Sequence, residues 1–313
     1  MKILAATDGS RHAESAVRFA AWLASGVRGG RLEIILVGDA GTDVIGQGGG
    51  AASRARSVMA DEYRRWAKTA LRRAGREAER FGVGARCRYV EARLAPVAAV
   101  ISRTADVARA NLIVVGSAGR GAVGRALFGS VARRLVQTAG RPIVVVPGGI
   151  AVRADDPVRI LAATDGSRGS QMAIRFAASL ARRARRGSLE VLTVGTLRRD
   201  VSIGFSAAVL SLVPYGELQE SERRAAARIL RKAGTAARAG GARAKLAFLE
   251  PRTTRPVADV IAVEARRKRV SLLAVGTQGH GAVEAWALGS VTARLLSVSH
   301  RPVLVVRPRG RRR

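Results

Sequence analysis

Ile3-Leu4-Ala5-Ala6-Thr7-Asp8-Gly9-Ser10-Arg11 decides the fold, because residues Ile160 to Arg168 repeat it without change. A short apolar run of strand type leads into Thr-Asp-Gly-Ser, a turn signature, and helical spacing begins at once behind it. The match continues from Arg18-Phe19-Ala20-Ala21 to Arg175-Phe176-Ala177-Ala178 at an offset of 157. Farther on, Gly121-Ala122-Val123 and Gly129-Ser130-Val131 return as Gly281-Ala282-Val283 and Gly289-Ser290-Val291. There the offset is 160, so three residues have been inserted in between. A period this long marks a duplicated domain and not a solenoid repeat. The turn-rich stretch from Pro147-Gly148-Gly149 to Asp155-Asp156-Pro157 is suited to a linker. The expected organisation is a domain at 1–147, a linker at 148–156, a domain at 157–308 and a basic tail at 309–313.

Within the first copy, strand-type runs fall at Lys2–Ala6, Leu32–Val37, Ala85–Glu91, Leu112–Val115 and Pro142–Val146. Several are continuously apolar, as strands covered on both faces are. Between them Tyr63, Trp66, Ala70, Leu71, Ala74 and Ala78 recur at helical spacing, with arginines on the remaining faces. Pro96 and Pro256 stand where the first turn of a helix would begin. Strands alternating with helices predict an α/β fold with a parallel, doubly wound sheet in each copy. Ligands of such sheets bind beyond the C-terminal strand ends, at the point where the strand order reverses.

Composition narrows the class. Of 313 residues 48% are apolar and 25% charged, which describes a globular chain, and no window approaches the roughly 18 uncharged apolar residues of a membrane span. The N-terminus runs straight into the first strand pattern, so no signal peptide is expected. A single cysteine, Cys87, excludes an intrachain disulfide and fits a reducing, cytoplasmic setting. The net charge of +32, from 55 basic against 23 acidic residues, favours polyanionic partners. Its plainer reading is an arginine-rich composition spread over solvated helix faces.

The chemistry lies in the loops. After the fourth strand comes Gly116-Ser117-Ala118-Gly119-Arg120-Gly121, then Gly129-Ser130; the second copy has Gly276-Thr277-Gln278-Gly279-His280-Gly281, then Gly289-Ser290. Both follow G-x2-G-x9-G-S. The first two glycines let the backbone approach a phosphate without interference from Cβ. The later Gly-Ser opens a helix, expected from Val131 to about Ala139, whose free amides and positive dipole end attract the same anion.

With these loops and the Asp-Gly-Ser after each first strand, residues 1–147 and 157–308 resemble the universal stress protein family, in its ATP-binding subgroup. The resemblance implies a five-stranded parallel sheet in the order 3-2-1-4-5. It implies that Asp8 and Val37 hold adenine and ribose, and that Gly116, Gly119, Gly129, Ser130 and Val131 hold the phosphates. The second copy offers Asp165, Val194, Gly276, Gly279, Gly289, Ser290 and Val291. It further implies ATP with Mg²⁺ as the ligand and a regulatory or sensor role in the stress response with little hydrolysis. Both copies depart from the family pattern after the second strand, where Val37-Gly38 and Val194-Gly195 lack an acidic residue.

Other readings stand beside these. Asp8 and Asp165 also suit bracing the turn, with Ser10, Ser167, Ser130 and Ser290 as helix N-caps. Cys87 alternates with Arg86 and Arg88 and is expected to point inward as an inert thiol; His12 and His300 lack metal-ligand spacing. The stretch Gly124 to Ser130 only superficially resembles a Walker loop, because no lysine follows Gly129. No catalytic residue is assigned. A slow ATPase and a basic protein that associates with nucleic acid remain as alternatives. The apolar runs Ile143–Val146 and Val303–Val306 are expected edge strands, whose pairing would make the two copies an internal pseudo-dimer.

Overall fold

The computed structural model describes residues 1–38, 51–92, 95–119, 128–196, 215–250, 254–277 and 288–308, with the backbone alone described for 51–57 and 215. The chain divides into two compact units, Met1–Asp156 and Pro157–Arg313.

In the first unit the order is β1 (Lys2–Thr7), α1 (Arg11–Gly26), β2 (Arg31–Gly38), α2 (Ala51–Glu79), β3 (Ala85–Glu91), α3 (Val97–Val107), β4 (Leu112–Gly116), α4 (Ser130–Thr138) and β5 (Ile143–Val146). The strands lie β3-β2-β1-β4-β5, every neighbour parallel. The second unit repeats this with β6 (Arg159–Ala163), α5 (Arg168–Arg183), β7 (Ser188–Val194), α6 (Tyr215–Ala239), β8 (Lys245–Leu249), α7 (Val257–Arg267), β9 (Leu272–Gly276), α8 (Ser290–Val298) and β10 (Val303–Val306). Its order is β8-β7-β6-β9-β10, again parallel. Each unit is thus a doubly wound 3-2-1-4-5 sheet, whose order reverses between its first and fourth strands.

The repeated Thr-Asp-Gly-Ser turn is built identically in both units. Thr7 Oγ1 accepts the Gly9 amide at 3.1 Å, Asp8 Oδ1 the Ser10 amide at 3.0 Å, and Ser10 Oγ the Ala13 amide at 3.2 Å. The second turn uses Thr164, Asp165 and Ser167 toward Gly166, Ser167 and Ser170 at 3.0, 3.0 and 3.3 Å. Gly9 and Gly166 take φ of +76° and +84°, the left-handed region that side chains disfavour. Ser10 and Ser167 are therefore N-caps, as expected from sequence.

Behind its cap, α1 buries Phe19, Trp22 and Leu23 against the sheet, with the first two rings 5.2 Å apart. On α2, Leu71, Ala74 and Ala78 are buried as their spacing predicts, while Tyr63 and Trp66 are half-buried. Pro96 and Pro256 are the N-cap residues of α3 and α7, one place before the first helical turn. Cys87 faces α2 as expected, its sulfur 3.4 Å from where a Cβ on Gly75 would stand, and is half-buried; burial, with the charge of Glu79, pushes its thiol up, so little thiolate forms at neutral pH. His12 has a packing role, since a Cβ on Gly148 would come within 2.8 Å of its ring.

The end of β4 lies directly on the start of α1. A Cβ at Gly116 would come 2.8 Å from the His12 carbonyl carbon, and one at Gly276 2.6 Å from that of Gly169. Both obstacles are backbone, so neither can swing aside. Gly116→Ala or Gly276→Ala is expected to cost about 1–3 kcal/mol of overpacking, seen as a lower denaturant midpoint in urea titrations.

Glu33, on β2, is 2% exposed and bridges Lys2 at 2.9 Å and Arg88 at 2.7 Å. Burial alone would raise its pKa; hydrogen bonds from Lys2 and Arg88 outweigh this and hold it below its ordinary 4.5. A lowered folded pKa gives stability that is present above the unfolded value and lost as pH falls through the folded one. Because Lys2 and Arg88 are about a third exposed, Glu33→Gln should cost about 1–2 kcal/mol at pH 7. The gap to the parent should close in titrations well below pH 4.5, where the parent carboxyl protonates.

Candidate nucleotide site

Three glycines meet beyond the C-terminal ends of β1, β2 and β4. A Cβ on Gly119 would come 2.7 Å from Asp8 Oδ2, and one on Gly129 would touch Ala118 Cα and the Ser117 carbonyl at 3.3 Å. The Gly129 amide donates to the Ser117 carbonyl at 2.8 Å, closing the loop on itself. This brings Gly116, Gly119 and Gly129 around one cavity of about 850 Å³. All seven residues expected in the first copy line it: Asp8, Val37, Gly116, Gly119, Gly129, Ser130 and Val131. Val97 and Ile101 of α3 and Phe128 add an apolar wall, while Arg133, Arg134 and Gln137 extend it along α4. The wall residues carry no signal in the sequence, because they look like any other helix-core or loop positions.

The later helices are not capped by serine, contrary to the expectation from sequence. Ser130 and Ser290 are the first helical residues; the N-caps are Gly129 and Gly289, and neither has a side-chain cap bond. The Arg133 amide reaches the Gly129 carbonyl, so the first α4 amides ahead of it have no acceptor within the helix. The contrast with α1 and α5, both capped by serine, is physical. A glycine cap leaves donors and the positive dipole end facing the cavity. The first turn of α4 holds no acidic residue, and Arg133 and Arg134 follow directly. Cations placed there work against the helix dipole and gain only if an anion joins them.

The second unit has the same frame. The Gly289 amide donates to the Thr277 carbonyl at 2.8 Å, and Thr292 Oγ1 to the Gly276 carbonyl at 2.7 Å, tying α8 to the end of β9. Burial would raise the Asp165 pKa, but hydrogen bonds from Ser167 and Ser170 hold it below the usual value, so it is an ionised acceptor at neutral pH. Val194 ends β7 half-buried, and Val291 lies exposed in the first turn of α8. Gly279 and His280 lie outside the described residues. The cationic neighbourhood differs: Ala293 stands where Arg133 does, and Arg294, the counterpart of Arg134, is held by Asp259 through two contacts of 2.7 Å. Position 99, the counterpart of Asp259, is alanine.

The glycines after the second strands also find a reason. A Cβ at Gly38 would run into the Tyr63 ring, and one at Gly195 would come 2.7 Å from the Glu222 carboxylate. Tyr63 and Glu222 are equivalent, 159 residues apart on α2 and α6. The same offset relates the Arg64–Glu91 pair, at 3.5 Å, to Arg223–Glu250, at 2.6 Å. Each glycine makes room for a side chain from the next helix, aromatic in one unit and acidic in the other. Glu222 also accepts the Thr196 amide.

Among the described residues no helix is long and apolar enough to cross a membrane, and no group of three or more His, Cys, Asp or Glu could hold a metal ion. A universal stress protein of Mycolicibacterium smegmatis is 31% identical over 202 residues, 64% of this chain and 63% of that protein. One from Mycobacterium tuberculosis is 30% identical over 206 residues, 63% of this chain and 62% of its own length. The match thus spans under two thirds of these curated relatives. Among solved structures, a universal stress protein from Archaeoglobus fulgidus gives a TM-score of 0.60 at 16% identity, covering 98% of both chains. A protein from Pseudomonas aeruginosa gives 0.57 at 15%, covering 98% of this chain and 92% of its own. At such identities the likeness concerns the fold alone. The family model of the universal stress proteins matches residues 1–147 and 158–307, and this chain belongs to that family as a tandem of two of its domains.

Proposed function

We propose that this universal stress protein acts in the stress response as an ATP-binding regulator, with one adenine nucleotide site in each domain. The observation that carries the reading is the uncapped start of α4, facing a glycine loop and two arginines across one cavity. A volume of about 850 Å³ suits a small-molecule ligand. Asp8 and Asp165 serve as acceptors for adenine or ribose donors, beside Val37 and Val194. The phosphates lie on Gly116, Gly119 and the first amides of α4, and on Gly276, Gly279 and the first amides of α8. Mg²⁺ arrives with the triphosphate and neutralises part of its charge. Arg133 and Arg134 supply positive charge to the phosphates of the first site.

Native mass spectrometry of the full chain with MgATP is expected to show up to two nucleotides per chain. Replacing Gly119 and Gly279 together with valine should abolish binding with the far-UV spectrum unchanged, since a side chain at 119 displaces the Asp8 carboxylate. Unaltered ATP affinity in that double variant would sink the proposal.

The first site is expected to bind ATP about tenfold more tightly than the second, because several weak charge contacts act on one ligand. Calorimetry on full-length chains with one loop blocked at a time measures each site. Tighter binding by the second site contradicts the charge argument.

A further inference from the structure

The opposite end of the first sheet is open and cationic. The starts of β1, β2 and β3 frame a cleft of about 570 Å³, lined by Lys2, Arg31, Arg86 and Glu33 among others. Glu33 is already committed to Lys2 and Arg88. Arg31 and Arg86 are exposed and form no ion pair among the described residues. Two uncommitted cations, Arg31 and Arg86, therefore flank a Lys2–Glu33–Arg88 cluster that itself carries one net positive charge.

Placement gives the cleft its reach. Lys2 is the register partner of Arg31, and Arg86 pairs with Glu33 two residues farther along β2. Neighbouring strands lie about 4.8 Å apart, so the three cations rise from a width of about 10 Å. One strand of a DNA duplex offers a phosphate about every 3.4 Å of axis, so this width faces about three of them. The rim is open at Gly82 and Gly84, where a Cβ would meet nothing within 4 Å. In the second domain the same place is filled: a Cβ on Gly241, the counterpart of Gly82, would strike the Arg182 side chain at 2.7 Å.

We propose that this cleft docks the phosphate backbone of a duplex nucleic acid, recognised by charge and not by sequence. The chain charge of +32 draws a polyanion toward it. No aromatic side chain lines the cleft to stack on a base. A membrane surface fits less well, because the apolar lining residues Val27, Leu32 and Val83 are buried and have nothing to insert. The site lies away from the nucleotide crevice and stands independently of ATP binding.

The test is the anisotropy of a labelled random-sequence duplex titrated with the full chain between about 50 and 200 mM salt. Arg31→Gln with Arg86→Gln is expected to weaken binding about tenfold at the low-salt end and to flatten the salt slope by about two. A control pair, Arg65→Gln with Arg72→Gln on exposed α2 positions, removes the same charge and should cost less than about threefold. Equal losses in the two pairs would mean diffuse attraction and overturn the site, as would full retention by the cleft variant. Loss of binding to phosphatidylserine vesicles in the cleft variant, with no duplex binding by the parent, would also overturn it and make the partner a membrane. Unchanged MgATP binding and far-UV spectra in both pairs separate the result from misfolding and from the nucleotide reading.

Discussion

The four-residue turn Thr-Asp-Gly-Ser after each first strand is the constraint on which the rest depends. Its threonine and aspartate accept amides two residues ahead, and its serine caps the following helix. Together these bonds fix where α1 and α5 begin. That position determines how near the ends of β4 and β9 can come, and the answer is backbone contact, possible only for Gly116 and Gly276. The glycine loops start from those points. The cavity beside the glycine loop is thus a downstream result of the turn. Asp8 shows the economy of the arrangement, with one oxygen bracing the turn and the other facing Gly119.

Duplication produced two frames, and the charges within them have since diverged. Near the first loop Ala99 takes the place of the Asp259 that, near the second, engages Arg294 through two contacts. An arginine already satisfied by a carboxylate gives a triphosphate much less than one waiting for an anion. The same divergence separates Tyr63 from Glu222 at the ends of β2 and β7. Each glycine there reads in isolation as a departure from the family pattern, yet each clears space for a side chain delivered from another element.

The arginine excess follows a similar logic at the scale of the whole chain. With 23 acidic residues for 55 basic ones, carboxylates are the scarce partner. The structure spends buried or half-buried acids where burial makes them matter, as Glu33 between Lys2 and Arg88 illustrates. Among the described residues, Arg31 and Arg86 at the strand starts of the first sheet form no ion pair. Surface repulsion of this kind weakens a compact state.

Much was legible in the sequence by itself. The repeat at offsets 157 and 160 determined two domains, apolar runs alternating with helical spacing determined a parallel α/β sheet, and G-x2-G-x9-G-S located the loops. These are local patterns, and local backbone geometry obeys them directly. Serine is the better capping residue in general and the sequence points to it at α4 and α8, whereas the loop closes through the Gly129 and Gly289 amides and places glycine at the cap. Cys87 faces α2 as its alternation predicts, yet stays half-buried, because β3 lies at the end of the sheet order, where neither face is fully covered. Val97, Ile101 and Phe128 joined the cavity wall, and Tyr63 and Glu222 filled the space over distant glycines, only through tertiary packing. Such placements depend on contacts between residues far apart in the chain, which no spacing within one segment encodes.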